Sequence, residues 1–286
     1  MSFSKVSAES KVNMSEELES RTGAKRRDEI PKPVLKALHL GQTETKNLVE
    51  WLAVDRFKLA QNLFADLGCQ QALVPLKQAF EQQKKKPSPL QQSVLVGKVL
   101  AEHGVTPKSK QWPNLANHPS DLLREWCCTT IGAIPQMTLK QRLKAIKPFA
   151  ADEHFGVREL AWLPMRPHFI DQLEQTFQEL VPWTKHRNIG IRRFASEATR
   201  PCGVWTMHIK ALKQTPEMAL PVLEPLKADS SRYVQDSVGN WLNDASKSSP
   251  QWVIDLTDRW KKDSDTPETA YIIKRALRTL KKQGVL

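Results

Sequence analysis

Six residues could do chemistry together if the fold brings them to one face: Glu125, Glu159, Trp162, Arg193, Glu197 and Asp236. An acid beside an aromatic ring suits a cationic ligand, because the carboxylate supplies charge and the indole face supplies a quadrupole. The acids stand out because the chain is otherwise basic, with 43 Lys and Arg against 31 Asp and Glu, a formal charge of +12. A pI near 9.6 favours an anionic partner, nucleic acid first. The plainer use of Trp162 is core packing. Pro164, two residues later, should end or bend its helix and is a route to exposing the ring.

These residues recur in register. Segments starting at Asp121, Phe155, Ile189 and Arg232 align without gaps on Glu125, Glu159, Arg193 and Asp236, at spacings of 34, 34 and 43 residues. A fifth, weaker copy centres on Lys274, and the stretch from Leu90 reads as another. Amphipathic segments at Leu139, Ile170, Glu217 and Trp252 precede the later copies. Two helices per unit at this period predict an all-α chain of HEAT-like repeats stacked in a curved solenoid, since one pair cannot bury its apolar stripe alone. Prolines at 87, 89, 119, 182, 216 and 267 punctuate the helices. Asp152 and Asp229, at matching positions, are predicted to cap second helices.

Helical phase sorts the faces. Val157, Leu160 and Ala161, with Ile191, Phe194 and Ala195, and Val234, Ser237, Val238 and Trp241, form the core stripe. The opposite stripe holds Glu125, Cys128 and Thr129; Glu159, Trp162 and Arg166; Arg193, Ser196, Glu197 and Arg200; Asp236, Gly239, Asn240 and Asn243. It is expected to line a polar inner face. Phosphate contacts are expected from Arg158, Arg192, Arg193, Arg200, Lys247 and Lys274. Arg158 and Arg192 share a repeat position, so a structural bond is an equal alternative for them.

No phosphate-binding glycine loop, zinc-protease motif or serine-hydrolase elbow is present, and no metal site is expected. His118, His154 and His186 fall in inter-helix turns, where capping or solvation is the default. Cys127 and Cys128 are adjacent, which fits neither a zinc pair nor a disulfide framework. Reduced, buried thiols in a cytoplasmic protein are the expectation. Residues 1–28 are polar and lack the apolar stretch of a signal peptide, so they read as a disordered tail before a repeat domain at 29–286.

In the segments FGVRELAWLPMRP from Phe155, IRRFASEATRPCGVW from Ile191 and RYVQDSVGNWLNDASK from Arg232, the chain resembles the DNA alkylation repair glycosylases of the AlkD and AlkC superfamily, AlkC-like members most closely. The resemblance covers roughly residues 120–282. It implies a bacterial base-excision-repair enzyme that hydrolyses the N-glycosidic bond of alkylated, cationic bases of the 3-methyladenine type, without conventional base flipping. The implied partner is duplex DNA carrying such bases. A cofactor-free monomer is expected. Acidic active-site roles carry over to Glu125 and Glu159, with Trp162 as aromatic neighbour, and a third acid falls on Asp236 or Glu197. Lesion or DNA contacts fall on Arg166, Arg193, Arg200, Asn240, Asn243, Arg158 and Lys247. Some relatives carry an immunoglobulin-like domain, which this chain is expected to lack. The alternatives are a non-catalytic repeat protein for damaged or branched DNA, which loss of groove acids would signal, and a protein scaffold, which would want an apolar or uniformly charged groove.

Overall fold

A computed structural model of the protein describes residues 18, 20–203 and 206–286. The chain is all-α, and among the described residues there is no strand. It divides into two compact units, one ending at Ile134 and the other starting at Pro135.

The first unit holds α1 (Lys32–His39), α2 (Leu48–Ala53), α3 (Arg56–Leu63), α4 (Leu73–Glu81), α5 (Pro89–Glu102), α6 (Trp112–Ala116) and α7 (Asp121–Ala133). Side-chain caps start α2, α3 and α5. Asn47 and Asp55 accept the backbone amides of Glu50 and Lys58. Ser88 and Gln91 form a reciprocal capping box, with Pro89 in the first turn. Helices α5 and α7 approach closely enough to need Gly97. A Cβ there would stand 2.5 Å from the backbone carbon of Thr129, whose Oγ1 donates to Ser93 O at 3.0 Å. Trp126, fully buried, meets Phe64 edge-on with ring centroids 5.8 Å apart.

The predicted tail lies mostly outside the described residues. Within them, Arg21 donates to Glu50 Oε2 at 2.9 Å and to Glu44 O at 2.7 Å, and Asn47 Nδ2 donates to Ala24 O at 2.9 Å. Packing therefore begins before residue 29.

The second unit holds α8 (Leu139–Ala150), α9 (Phe155–Trp162), α10 (Arg166–Asp171), α11 (Leu173–Leu180), α12 (Ile189–Glu197), α13 (Lys210–Gln214), α14 (Leu220–Leu223), α15 (Arg232–Ala245), α16 (Pro250–Asp263), α17 (Pro267–Ala276) and α18 (Arg278–Lys282). The second helices α9, α12, α15 and α17 pack side by side, each on the next. Helix α8 backs α9 and α12, α14 backs α12, and α16 backs α15 and α17. The predicted core stripe is buried throughout, from Val157 to Trp241.

Two first helices are more broken than their periodicity predicts. The Ile170 segment splits at Gln172, whose φ of −138° and ψ of 51° are not helical. The Glu217 segment is a short α14 flanked by 3-10 turns at Pro216–Ala219 and Glu224–Leu226. Its prolines 216, 221 and 225 remove amide donors and crowd the preceding turn. All four cysteines are free, and only Cys202 is partly exposed. Among the described residues, no helix is long and apolar enough to cross a membrane.

Candidate active site

The turn before each second helix fixes where that helix begins. Arg124 Nη1 donates to the carbonyls of His118 and Pro119 at 2.7 and 3.0 Å. Arg158 Nη1 does so to Asp152 and Glu153 at 2.6 and 2.7 Å, and Arg192 Nη1 to His186 and Arg187 at 2.9 and 3.2 Å. In the fourth copy Gln235 Nε2 reaches Asp229 O at 2.7 Å. The turn residue itself accepts the amide two residues on. His118 and His186 use ring Nδ1 toward Ser120 and Asn188; Asp152 and Asp229 use Oδ1 toward His154 and Ser231. Burial, with Arg124 beside it, holds the His118 pKa below its ordinary value. Burial, then Lys147, Arg187 and Arg192, does the same at His186. Both shifts suit a neutral ring acting as acceptor. Arg158 and Arg192, expected as phosphate contacts, are thus spent on their own turns, and Arg192 also clamps Asp229 through Nε and Nη2 at 2.6 and 3.0 Å.

Glu159, on α9, is one-third exposed. Its Oε1 accepts three donors: Arg193 Nε at 3.1 Å, Arg193 Nη2 at 2.9 Å and the Tyr233 hydroxyl at 2.9 Å. Its Oε2 accepts Trp162 Nε1 at 3.3 Å. Arg193 also donates Nη1 to Tyr233 O at 2.9 Å and lies 4.1 Å from the Tyr233 ring centroid. Burial alone would lower the Arg193 pKa, but Glu197, Glu159 and Tyr233 outweigh it and raise the value. Trp162 is 7 % exposed: Pro164 ends α9, as its position predicts, yet the ring stays packed.

From Arg193 an alternating charge array runs inward. Arg193 Nη2 lies 3.4 Å from Glu197 Oε2, and Arg200 Nη1 donates to Glu197 Oε1 at 2.7 Å. Arg200 Nε and Nη2 both donate to Asp244 Oδ2, at 2.9 and 2.7 Å, and Lys247 Nζ donates to Asp244 Oδ1 at 3.0 Å. Glu197 and Asp244 are buried, while Lys247 is exposed. Burial pushes the Glu197 carboxyl up, but Arg193 and Arg200 overcome it and hold the carboxyl below its usual range. A second partly exposed acid, Asp236 on α15, accepts the Tyr271 hydroxyl at 2.7 Å and faces Arg275 Nε at 3.2 Å. Asn240 Oδ1 accepts Arg275 Nη2 at 3.2 Å.

The predicted polar face is therefore only partly open, because neighbouring second helices cover much of it. Ser196 Oγ and Ser237 Oγ meet at 2.8 Å between α12 and α15. Asn243 is 2 % exposed and accepts both the amide and the hydroxyl of Thr279. Arg166 is fully buried and donates to the carbonyls of Ala198, Arg200 and Met207 at 3.0, 3.0 and 2.7 Å. Burial lowers its pKa to about 10. Asn243 and Arg166 are thus closed off from solvent, and Arg193 and Arg200 are committed to carboxylates. Among the expected phosphate contacts, Lys247 and Lys274 are exposed.

Glu125 belongs to the first unit and is 1 % exposed. Trp51 Nε1 donates to its Oε2 at 2.6 Å, and burial pushes its carboxyl up against the pull of Arg56. It is a core acid of that unit rather than an open groove residue. Tyr233, Asp244 and Tyr271 escaped the sequence reading. A signal existed for the tyrosines: they are the chain's two Tyr, each three residues before the anchor of consecutive copies. Among the described residues, no group of three or more His, Cys, Asp or Glu is placed to hold a metal ion.

Residues 157–280 match the family model described as DNA alkylation repair enzyme. That span includes Glu159, Trp162, Arg193, Glu197, Tyr233, Asp236 and Asp244. The chain is 39% identical over 145 residues to the uncharacterized protein YhaZ of Bacillus subtilis, a match covering 51% of this chain and 38% of that protein. Its fold is similar to the alkylpurine DNA glycosylase AlkC of Pseudomonas fluorescens, solved bound to DNA containing an abasic site analogue. The TM-score is 0.66 at 25% identity, over 80% of this chain and 64% of the other. The fold is also similar to AlkD2 from Streptococcus mutans, with a TM-score of 0.55 at 21% identity, over 73% and 97% of the two chains. The chain thus spans well under half the length of YhaZ and under two thirds of AlkC. On an AlkC- and AlkD-like helical-repeat fold, its residues 157–280 carry the pattern of the DNA alkylation repair enzyme family.

Proposed function

We propose that the protein is a DNA glycosylase that hydrolyses the N-glycosidic bond of alkylated, positively charged bases in duplex DNA. The observation that carries this reading is Glu159, a partly exposed carboxylate with one oxygen held by Arg193 and Tyr233 and the other beside the Trp162 indole edge. Alkylation at a ring nitrogen already makes the base a good leaving group, so a general acid is less needed. What remains is to stabilise an oxocarbenium-like sugar and to place a water, and a fixed carboxylate serves both. Asp236 is the second acid available to the site. Lys247 and Lys274 supply phosphate contacts along the second helices, with affinity that falls steeply as salt rises. The lesion is read from the outside of the stack rather than extruded, in contrast to most base-modifying enzymes. The protein acts as a monomer in the cytoplasm and needs only water as co-substrate.

One observation favours a non-catalytic reading, in which the protein binds damaged DNA without chemistry. The pairing with Arg193 offsets the charge of Glu159 before any ligand arrives. Chromatographic release of 3-methyladenine from methylated duplex DNA separates the two. Release by the wild type, lost in Glu159→Gln, supports the glycosylase. Salt-dependent binding to the same DNA without release sinks it.

A further inference from the structure

We infer that Tyr233 is a positioning residue for Glu159, locking Oε1 together with Arg193 so that Oε2 is the oxygen presented to the sugar. This deepens the glycosylase reading and rests on it.

The two oxygens of Glu159 are unequal. A carboxylate has about four lone-pair sites, two on each oxygen. Three donors crowd Oε1, one of them a hydroxyl and two from a single guanidinium. Oε2 keeps one long bond, from Trp162 Nε1 at 3.3 Å. Fixing one oxygen removes rotation about the terminal torsion, which is otherwise broad in Glu. The free oxygen then holds one direction without reorganising during reaction, which is the condition for strong electrostatic stabilisation.

Tyr233 is itself held. The Arg193 guanidinium lies 4.1 Å and that of Arg158 5.2 Å from its ring centroid, and Arg158 Nε reaches its hydroxyl at 3.4 Å. Its backbone carbonyl accepts Arg193 Nη1, so the same arginine fixes both the tyrosine and the acid. A phenylalanine would keep the ring beside the two guanidinium groups but leave Oε1 without its hydroxyl donor. Burial, then the Glu159 charge, raises the phenol pKa, so the hydroxyl stays a donor over the neutral range.

Two measurements test this. The first is single-turnover excision of 3-methyladenine from a duplex by wild type and Tyr233→Phe, with duplex affinity and thermal unfolding followed in parallel. Loss of the lock should lower the rate constant on the order of 10- to 100-fold, with affinity and unfolding temperature nearly unchanged. An unchanged rate constant in an active wild type overturns the positioning role. The second needs no activity. The chain has two tyrosines, Tyr233 and Tyr271, so tyrosinate absorbance on raising pH reads both directly. Glu159→Gln should move one of the two transitions to lower pH, and Tyr233→Phe should remove that same transition. If Glu159→Gln moves neither transition, the lock does not exist in solution, whatever the activity. If the wild type excises nothing while the transition still moves, the glycosylase reading fails and the positioning role fails with it.

Discussion

Arg193 and Glu159 sit at equivalent positions of successive repeats, 34 residues apart, and Arg193 places two of its nitrogens on one Glu159 oxygen, at 3.1 and 2.9 Å. The repeat thus puts an acid and its countercharge in register across adjacent helices. The break in the acidic pattern at Arg193 is the feature that fixes Glu159. The same arginine reaches Glu197, and Arg200 carries the alternation on to Asp244.

The middle of that array is its costly part, because Glu197 and Asp244 are both buried. Removing one partner of a buried ion pair leaves uncompensated charge, typically at about 3–5 kcal/mol. Arg200→Met should therefore destabilise the fold by about that amount at pH 7.5 in urea unfolding. The deficit should shrink as pH falls below about 4.3, the ordinary Glu value. In the wild type the Glu197 carboxyl is held low, so its stabilisation is present above the ordinary carboxylate value and is lost as pH falls. In the variant Glu197 keeps only Arg193 as its cationic partner and accepts a proton more readily. A loss below about 1 kcal/mol at pH 7.5 would show that the array adds little to stability.

The inter-helix turns carry an acid sensitivity. His118 and His186 accept backbone amides through Nδ1, and both pKa values are lowered by burial and neighbouring cations. The unfolded chain protonates first, near pH 6.5, so stability should fall as pH drops through that value toward the folded ones. Asp152 and Asp229 do the same job in their own repeats through a carboxylate oxygen in place of a ring nitrogen. The double variant His118→Asp, His186→Asp should lose less unfolding temperature than wild type between pH 7.5 and 5.5. Equal losses would remove the turn histidines from the acid response.

Gly97 tests the packing of α5 on α7. An added methyl would stand 2.3 Å from Thr129 Oγ1 and 2.5 Å from backbone, so the helices must part. Gly97→Ala would gain helix propensity of about 1 kcal/mol on an open surface. Here overpacking should outweigh that gain and leave the protein less stable by about 1–3 kcal/mol in chemical denaturation. A stabilised variant would mean that α5 and α7 pack less closely than the structure shows.

Much of the fold is legible in the sequence, because buried stripes and caps are local signals. Helices α7 and α8 begin and end where the sequence segments at Asp121 and Leu139 do, with Thr138 and Gln141 boxing the start of α8. The site is legible only in part. Helical phase treats each helix as isolated, so residues three, four and seven beyond an anchor look solvated. In the structure the next second helix covers many of them. Arg166 and Asn243 read as ligand contacts in sequence because a buried polar side chain satisfied by backbone groups has no sequence mark of its own. Tyr233 fails in the opposite sense: an aromatic at a helix start reads as packing, and only its 74-residue reach to Glu159 reveals the hydroxyl's partner.

The most direct test of the central claim is single-turnover excision of 3-methyladenine from a duplex oligonucleotide by wild type, Glu159→Gln and Lys247→Ala. The wild type should release the base rapidly. Glu159→Gln should lose on the order of 100-fold or more in the rate constant, as for removal of a transition-state electrostatic group, with duplex affinity kept. Lys247→Ala should weaken affinity and its salt dependence while leaving the rate constant at saturation nearly intact. Equal rate constants for wild type and Glu159→Gln at saturating enzyme would show that Glu159 is not the catalytic carboxylate.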